Sequence, residues 1–212
     1  MAERIGIYGG SFDPVHLGHL WVAEHCREQL PLDRVIFVPA ATSPLKPAGP
    51  VADDASRLTM LQRALNDGVV DGSLQVDDRE LRRGGTSYTI DTVQELAGQH
   101  PDAQWYLLVG SDAFASIQRW HRPAELLQQI TPAVFLRGGD AAIDWRVLDG
   151  LVTPRRAAEI RCCRVQVPMI EVSSSDIRRR VAQRRSIRFR VPAAVQALID
   201  THALYQAAAS PP

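Results

Sequence analysis

The sequence has few cysteines and no long apolar run, and each shortage excludes a class of protein. The three cysteines are an odd number, and Cys162 and Cys163 are adjacent on an expected strand, so no disulfide framework is expected. No second Cys or His pair stands at zinc-site spacing. No apolar stretch reaches the ~18 residues that a membrane helix needs. We therefore expect a soluble protein with reduced cysteines and no membrane partner.

The sequence also lacks net charge, since 24 basic residues balance 24 acidic ones. No overall field therefore attracts the chain to nucleic acid, and no nucleic-acid partner is expected. The charge is nevertheless uneven. The segment from Arg155 to Arg190 has eleven arginines and three acidic residues, a formal charge of +8. This segment is either a solvated arginine face or the binding region of an anion.

The ends of the sequence bear on location and domain organisation. The first residues lack the charged, apolar and cleavage regions of a signal peptide, so we expect a cytoplasmic protein. We expect a single domain over residues 1–206, with a small helical part over about 172–206. Residues 207–212, a short Ala/Ser/Pro tail, are expected to be flexible. The oligomeric state is not indicated by any pattern.

Strands and helices are predicted to alternate along the chain. Apolar runs predict strands over residues 4–8, 35–38, 74–76, 105–109, 133–136 and 160–167. Periodicity and capping residues predict helices over 17–30, 57–65, 89–97, 174–185 and 192–201, and another from Asp112. This alternation predicts an α/β, Rossmann-like, doubly wound and largely parallel sheet. Such sheets bind ligands outside the carboxyl ends of the strands, where the strand order reverses.

An eleven-residue string follows the first predicted strand and carries the strongest chemical signal. It reads Gly9-Gly10-Ser11-Phe12-Asp13-Pro14-Val15-His16-Leu17-Gly18-His19. A helix N-terminus favours phosphate, glycines let a nucleotide approach the backbone, and imidazoles donate hydrogen bonds to phosphoryl oxygens. The string is neither a dinucleotide fingerprint nor a Walker A loop. The alternatives are a zinc pair, which lacks further ligands, and a core histidine at a helix start.

A second anion site is predicted near residue 175. Ser173, Ser174 and Ser175 begin a helix, and Arg178 follows one turn later. One serine could act only as a cap, but three hydroxyls and a guanidinium near helix amides form a convergent anion site. The aromatic residues Tyr88 and Trp120 are either core residues or part of a binding surface.

The eleven-residue string resembles the signature of the nucleotidyltransferase superfamily, whose His-x-Gly-His motif handles the triphosphate of ATP. The segment from Thr86 to Thr92 resembles the Ser-Tyr-Thr-x-x-Thr motif of bacterial nicotinate mononucleotide adenylyltransferases. Further resemblances to this family, in its order, are Gly110-Ser111-Asp112, Trp120-His121, Val172 to Arg178, Val191-Pro192 and Leu204-Tyr205. They span about residues 5–206.

The resemblance implies adenylyl transfer from ATP to nicotinate mononucleotide, giving deamido-NAD and pyrophosphate in NAD biosynthesis. The implied catalytic residues are His16, His19, Lys46 and Arg178. The implied ATP-binding residues are Gly9, Gly10, Ser11, Phe12, His16, Gly18, His19, Gly110, Asp112, Val172, Ser173, Ser174, Ser175 and Arg178. The implied residues for the mononucleotide are Asp13, Lys46, Ser87, Tyr88, Thr89, Trp120 and His121. Mg²⁺ is expected to arrive with ATP, without a protein ligand.

The sequence departs from the family pattern at two places. Leu45 stands where the family usually has histidine, and the triphosphate motif begins with Val172 and has Ser175 in place of threonine. Two alternative functions stay open. One is a sister adenylyltransferase for nicotinamide mononucleotide or phosphopantetheine, and the other is a non-catalytic module that binds nucleic acid or nucleotides through the arginine-rich segment.

Overall fold

The computed structural model describes residues 2–44, 49–66, 71–137 and 142–206, with only the backbone of Arg137. Lys46 and the tail at 207–212 therefore lie outside the described residues. Within the described part, the strands are β1 Arg4–Gly10, β2 Arg34–Pro39, β3 Leu74–Val76, β4 Gln104–Gly110, β5 Thr131–Arg137 and β6 Arg164–Val167.

These strands form one sheet in the order β3-β2-β1-β4-β5-β6, and every neighbouring pair is parallel. The expected Rossmann-like α/β fold is confirmed, and the sheet among the described residues is wholly parallel. The chain winds from β1 outward to β3 and then returns to β4 beside β1. The carboxyl ends of β1 and β4 therefore meet where the strand order reverses, which is the usual position of a ligand site in such a sheet.

Helices cover both faces of the sheet. In the described residues they are α1 Leu17–Gln29, α2 Asp54–Asn66, α3 Arg79–Arg83, α4 Thr89–Gln99, α5 Ser111–Phe114, α6 Pro123–Gln129, α7 Pro154–Arg161, α8 Ser174–Ala182 and α9 Ala193–Thr201. Alternate residues of β1 pack into two apolar cores, one on each face of the sheet. Tyr8 packs with residues of α1, α2, α8 and α9, whereas Ile5 and Ile7 pack with residues of α4, α6 and α7. This alternation follows from the two-residue period of a strand that is buried on both faces.

The C-terminal helices share the core of the first face. Ile177 of α8 and Val195 of α9 are fully buried and belong to the same apolar cluster as Tyr8 and Phe12. Helix α9 also packs against α2. The last 35 described residues are thus attached to the face of the sheet from which the glycine loop after β1 emerges. No helix in the described part of the chain has the length and apolarity to cross a membrane.

The predicted strand over residues 160–167 is wrong in its first half. Helix α7 extends to Arg161, and β6 begins only at Arg164. Thr153 caps α7 by accepting a hydrogen bond from the Arg156 backbone N–H, and Pro154 occupies the first turn. The buried side chain of Ile160 faces the core from a helix and not from a strand.

The cysteines are free, as expected, but Cys162 and Cys163 lie in the turn between α7 and β6 and not on a strand. Cys162 is exposed and Cys163 is half-buried. Cys26 lies inside the core, where burial raises the pKa of its thiol to about 12. A protonated thiol is a poor nucleophile, so Cys26 acts as a small apolar residue.

Four further helices differ from the prediction. Helices α3 and α6 were not predicted, because each has only two turns or fewer and gives no clear periodic pattern. The helix predicted from Asp112 is the single turn α5, followed by a 3-10 turn at Ile117–Arg119. Helix α8 ends at Ala182 and not at residue 185. The remaining predicted strands and helices are confirmed to within a few residues.

Candidate active site

The two histidines of the first motif are stacked on each other at the start of α1. Their ring centroids are 3.7 Å apart with an angle of 21° between the planes. His16 is buried and precedes the helix, and its backbone N–H donates to Nδ1 of His19 at 3.2 Å. A Cβ at Gly18 would lie 3.1 Å from the His16 ring, so this position favours glycine. The histidine pair is thus a fixed unit at a helix N-terminus.

The C-terminal helical part closes over the loop that carries these histidines. Arg178 Nη1 donates to the backbone carbonyl of Asp13 at 2.6 Å, and Ser174 Oγ donates to that of Pro14 at 2.9 Å. The Leu17 N–H donates to the carbonyl of Arg190 at 3.0 Å. These contacts bring Arg178 and the serine run beside the first motif. They also engage the Leu17 amide, which is therefore not one of the open helix-terminal donors that the sequence suggests.

The side chain of Asp13 joins three segments of the chain. It is 3% exposed and accepts hydrogen bonds from the Val51 and Ala52 N–H groups, at 2.7 and 3.1 Å. The hydroxyl of Tyr205 donates to Asp13 Oδ1 at 2.7 Å. Burial, together with this bond to a carboxylate, raises the pKa of Tyr205 well above its usual value. The role of Asp13 in binding the mononucleotide stays a prediction, and its carboxylate accepts hydrogen bonds from three donors of the protein.

A buried arginine is hydrogen-bonded to the loop that precedes α1. Arg57 of α2 is fully buried, and its Nη1 donates to the carbonyl of Ser11 at 2.7 Å. Its Nη2 forms an ion pair with Asp54 at 2.6 Å. Sequence reasoning placed Arg57 on a helix without a role, because nothing in the local pattern distinguishes it from a surface arginine.

The ends of β1 and β4 complete the first half of the site. A Cβ at Gly9 would meet no atom of the described residues within 4 Å, so the space beside this backbone is open. A Cβ at Gly110 would lie 2.7 Å from Asp112 Oδ1 and would displace that carboxylate. Asp112 itself is exposed on the turn after β4. The lack of a side chain at Gly9 thus leaves room for a ligand beside the backbone. The lack of one at Gly110 leaves room for the carboxylate of Asp112.

The residues predicted to bind the second substrate lie together at the start of α4 and after α5. The rings of Tyr88 and His121 are 4.4 Å apart and tilted by 32°. Trp120 is half-buried against the second core, and its indole N–H donates to Ser116 Oγ at 3.2 Å. Tyr88 precedes α4 and Thr89 begins it. Tyr88 thus packs against His121, and Trp120, the residue before His121, packs against the same core as Tyr88.

Two consecutive residues after β2 connect the glycine loop to the residues before α4. The Ala40 N–H donates to the carbonyl of Gly10 at 2.9 Å, and the Ala41 N–H donates to Ser87 Oγ at 3.1 Å. The Ser87 N–H donates to the carbonyl of Thr42 at 2.9 Å. The segment after β2 thus links the glycine loop to the aromatic group. Lys46, predicted from the same loop, lies outside the described residues.

A buried carboxylate braces the aromatic group. Glu80 of α3 is 6% exposed and accepts hydrogen bonds from Thr92 Oγ1, at 2.5 Å, and from the Ser87 hydroxyl. Arg83 Nη2 donates to Thr92 Oγ1 at 3.1 Å. Burial raises the pKa of Glu80, although these hydrogen bonds and the Arg83 charge oppose the shift. Sequence reasoning missed Glu80 because it missed helix α3.

The structure thus collects the predicted residues into two adjoining groups. The first group contains the residues predicted to bind ATP together with Asp13, namely Gly9, Gly10, Ser11, Phe12, Asp13, His16, Gly18, His19, Gly110, Asp112, Val172, Ser173, Ser174, Ser175 and Arg178. The second contains Ser87, Tyr88, Thr89, Trp120 and His121. Within the described ranges, no three His, Cys, Asp or Glu side chains are placed to hold a metal ion. The site therefore offers hydrogen-bond donors and cations, which suit phosphates.

Comparison with known families and proteins agrees with this chemistry. The model of the family described as cytidylyltransferase-like matches residues 7–180. A protein of Rhodopirellula baltica named probable nicotinate-nucleotide adenylyltransferase is 50% identical over 95% of this chain and 93% of its own length. A protein of the same name from Thermomicrobium roseum is 40% identical over 96% of this chain and 92% of its own length.

Solved structures show the same fold at low sequence identity. The nicotinic acid mononucleotide adenylyltransferase of Plasmodium falciparum, complexed with NaAD, superposes with a TM-score of 0.73 and 18% identity. The match covers 96% of this chain and 97% of that one. The same Plasmodium enzyme complexed with APC gives a TM-score of 0.70 at 17% identity, again over 96% of this chain and 97% of that one. The shared backbone thus extends over nearly the full length of both chains.

Proposed function

The chain belongs to the cytidylyltransferase-like family, and within it to the nicotinate-nucleotide adenylyltransferases, and from this premise we propose its reaction. It transfers the adenylyl group of ATP to nicotinate mononucleotide, giving deamido-NAD and pyrophosphate. The observation that carries this proposal is the junction of the C-terminal part with the histidine loop. There Arg178 and the serine run lie against the loop of His16 and His19, and together they form one cationic, donor-rich surface.

The first group of residues is suited to the triphosphate. Imidazole and guanidinium N–H groups donate charge-assisted hydrogen bonds to phosphoryl oxygens, and α1 and α8 both begin at this surface. The open backbone beside Gly9 leaves room for the nucleotide. We assign the ATP to this group, with Asp112 at a ribose hydroxyl.

The chemistry requires no protein nucleophile. The 5′-phosphate of the mononucleotide attacks the α-phosphorus of ATP in line, and the bond to the β-phosphate oxygen breaks, so that pyrophosphate leaves. Catalysis then consists of positioning the two phosphates and stabilising negative charge on the leaving group. His16, His19 and Arg178 supply that stabilisation, since they are held in place before substrate arrives.

The second group is suited to the acceptor. Its aromatic rings can stack on a pyridine ring, and the backbone amides at Thr89 and His121 can donate to the nicotinate carboxylate. The segment after β2 touches both groups, so it would approach the phosphate that joins the substrates. Lys46 follows in that loop and is assigned to substrate phosphate, a role that stays a prediction.

Mg²⁺ belongs to this proposal only as a companion of ATP. Near the phosphate surface, the buried carboxylate among the described residues is that of Asp13, which accepts hydrogen bonds from backbone amides and from Tyr205. The donor set of the described residues therefore does not fit a protein-held metal. The ion would be bound by phosphate oxygens, and it would neutralise part of their charge. The cytoplasmic location likewise stays a prediction.

Pyrophosphate release tests the function directly. The purified chain is mixed with ATP and Mg²⁺ and with nicotinate mononucleotide, nicotinamide mononucleotide or phosphopantetheine in parallel. We expect release only with a mononucleotide acceptor, and fastest with the nicotinate form, with deamido-NAD identified as the product. Release with phosphopantetheine alone would identify the sister activity. No release with any acceptor, together with salt-sensitive RNA or DNA binding, would refute the proposal in favour of a binding module.

A further inference from the structure

Tyr205 lies at the end of the described chain, yet its hydroxyl reaches a residue of the first loop. It donates to Asp13 Oδ1 at 2.7 Å across 192 residues of sequence. The ring is half-buried, and the bond lies within the junction that holds the histidine loop. Nothing in the reaction itself requires a tyrosine here, so the contact needs a separate account.

Arg178 is the second group that faces the Asp13 carboxylate. Its Nη1 is 3.6 Å from Asp13 Oδ2, beyond hydrogen-bond length, while the same nitrogen donates to the Asp13 backbone carbonyl at 2.6 Å. Its Nη2 is 3.5 Å from Ser175 Oγ. The guanidinium therefore forms only a long ion pair with the carboxylate, without a direct hydrogen bond, and 28% of its side chain remains exposed.

The carboxylate is satisfied by three other donors. Val51 donates to Oδ2, which Arg178 also faces, and Ala52 and Tyr205 donate to Oδ1. A buried carboxylate that loses a donor incurs a desolvation penalty and takes the nearest available replacement. Arg178 is within reach, because a shift of its Nη1 by less than about 1 Å would shorten the existing ion pair at Oδ2 to a direct hydrogen bond.

We infer that Tyr205 is a positioning residue, whose bond to Asp13 keeps the Arg178 guanidinium available for substrate phosphate. This inference rests on the proposed function, because it assigns Arg178 to the triphosphate. In the absence of the hydroxyl, the long ion pair between Arg178 and Asp13 tightens to a direct hydrogen bond. The tightened ion pair makes the positive charge of Arg178 less available to substrate phosphate. It also shifts the loop that leads to His16.

The test combines Tyr205→Phe with Arg178→Ala and with a matched tyrosine control. Tyr106→Phe removes a hydroxyl that accepts from Arg4 at 2.9 Å, near the amino end of β4 and away from the site. ATP dissociation constants are measured by calorimetry, and kcat and KM for ATP are measured by pyrophosphate release. We expect Tyr205→Phe to weaken ATP binding and to lower kcat/KM about 10-fold, the scale of one hydrogen bond to a charged group. Tyr106→Phe should leave both unchanged.

The double variant separates positioning from general support of the fold. If Tyr205 acts through Arg178, Tyr205→Phe should weaken ATP binding no further in the Arg178→Ala background. Equal losses in both backgrounds, or no loss in the single variant, would overturn the inference. The calorimetric arm does not depend on the acceptor. A wild-type chain that binds ATP but releases no pyrophosphate would therefore refute the proposed function while the role of Tyr205 is still decided.

Discussion

The backbone N–H of His16 determines which nitrogen of His19 carries the proton. Because this N–H donates to Nδ1 of His19 at 3.2 Å, Nδ1 is an acceptor, and the neutral ring has its proton on Nε2. His19 therefore presents an N–H donor at the end of its ring. The stacking of His16, with centroids 3.7 Å apart, restrains the orientation of that ring. A backbone group and a neighbouring side chain thus orient His19, as its proposed hydrogen bond to phosphate requires.

This arrangement predicts the effect of removing the His19 ring. His19→Ala should lower kcat about 100-fold or more, which is the scale for loss of one preorganised donor to a transition state. The melting temperature should change little, since His19 is only partly buried. His25→Ala is the matched control, because His25 lies on the same helix and contacts the Trp21 carbonyl. Turnover by His19→Ala near that of the control would exclude His19 from the mechanism.

The aromatic group predicts a strong preference between the two pyridine mononucleotides. We expect kcat/KM with nicotinate mononucleotide to exceed that with the nicotinamide form by ~100-fold or more. The amide loses charge-assisted hydrogen bonds of ~1.5–3 kcal/mol each to backbone N–H groups near Thr89 and His121. Steady-state kinetics with both acceptors at saturating ATP measure the ratio. Equal use of the two would refute this assignment of the pocket and leave the reaction class intact.

Glu80 predicts a specific pH dependence of stability. Burial raises the pKa of Glu80 above its ordinary value of 4.5, so the folded protein binds this proton more tightly than the unfolded chain does. Its stabilising contribution is therefore complete at low pH and is lost as pH rises through the folded pKa. Glu80→Gln cannot lose a proton, so the melting temperature of this variant should rise relative to that of the wild type as the pH increases from 4.5 through the folded pKa.

The exposed Glu28 provides the control for that experiment, since Glu28→Gln should give a difference from wild type that does not vary in this way. Thermal melts at matched ionic strength are sufficient. A Glu80→Gln difference that is constant with pH, or that falls as pH rises, would show that Glu80 is not the group responsible.

Replacement of Arg57 should destabilise the fold, although this arginine resembles a surface residue in the sequence. Its guanidinium is buried, and it binds both the Ser11 carbonyl and Asp54. Arg57→Met should destabilise the fold by about 2–3 kcal/mol, because it leaves a buried carbonyl without its donor. That loss corresponds to a fall in melting temperature of about 5–10 °C. Arg63→Met, on the exposed face of the same helix, should be nearly neutral. Equal melting temperatures of the two variants would contradict this role.

The sequence by itself determined the secondary structure elements whose signals are local. The apolar run from Val35 to Val38 can be satisfied only by burial on both faces of a sheet, and β2 is such a strand. The two histidines were correctly placed at the start of a helix that follows the first strand, although Gly9 and Gly10 belong to the end of β1. Local signals also compete, and at Thr153-Pro154 the helix-start signal outweighed the apolar pattern that predicted a longer strand.

Only the tertiary structure decided which of these motifs meet. The bond between Tyr205 and Asp13 spans 192 residues, and that between Arg178 and Asp13 spans 165. No local pattern encodes such a pair, because its partners are fixed by strand order and by the return of the C-terminal helices to the first face of the sheet. The burial of Arg57 and Glu80 has the same origin. An arginine or glutamate on a short helix has the same local sequence pattern whether it faces water or the interior, and only the packing of neighbouring elements removes the water.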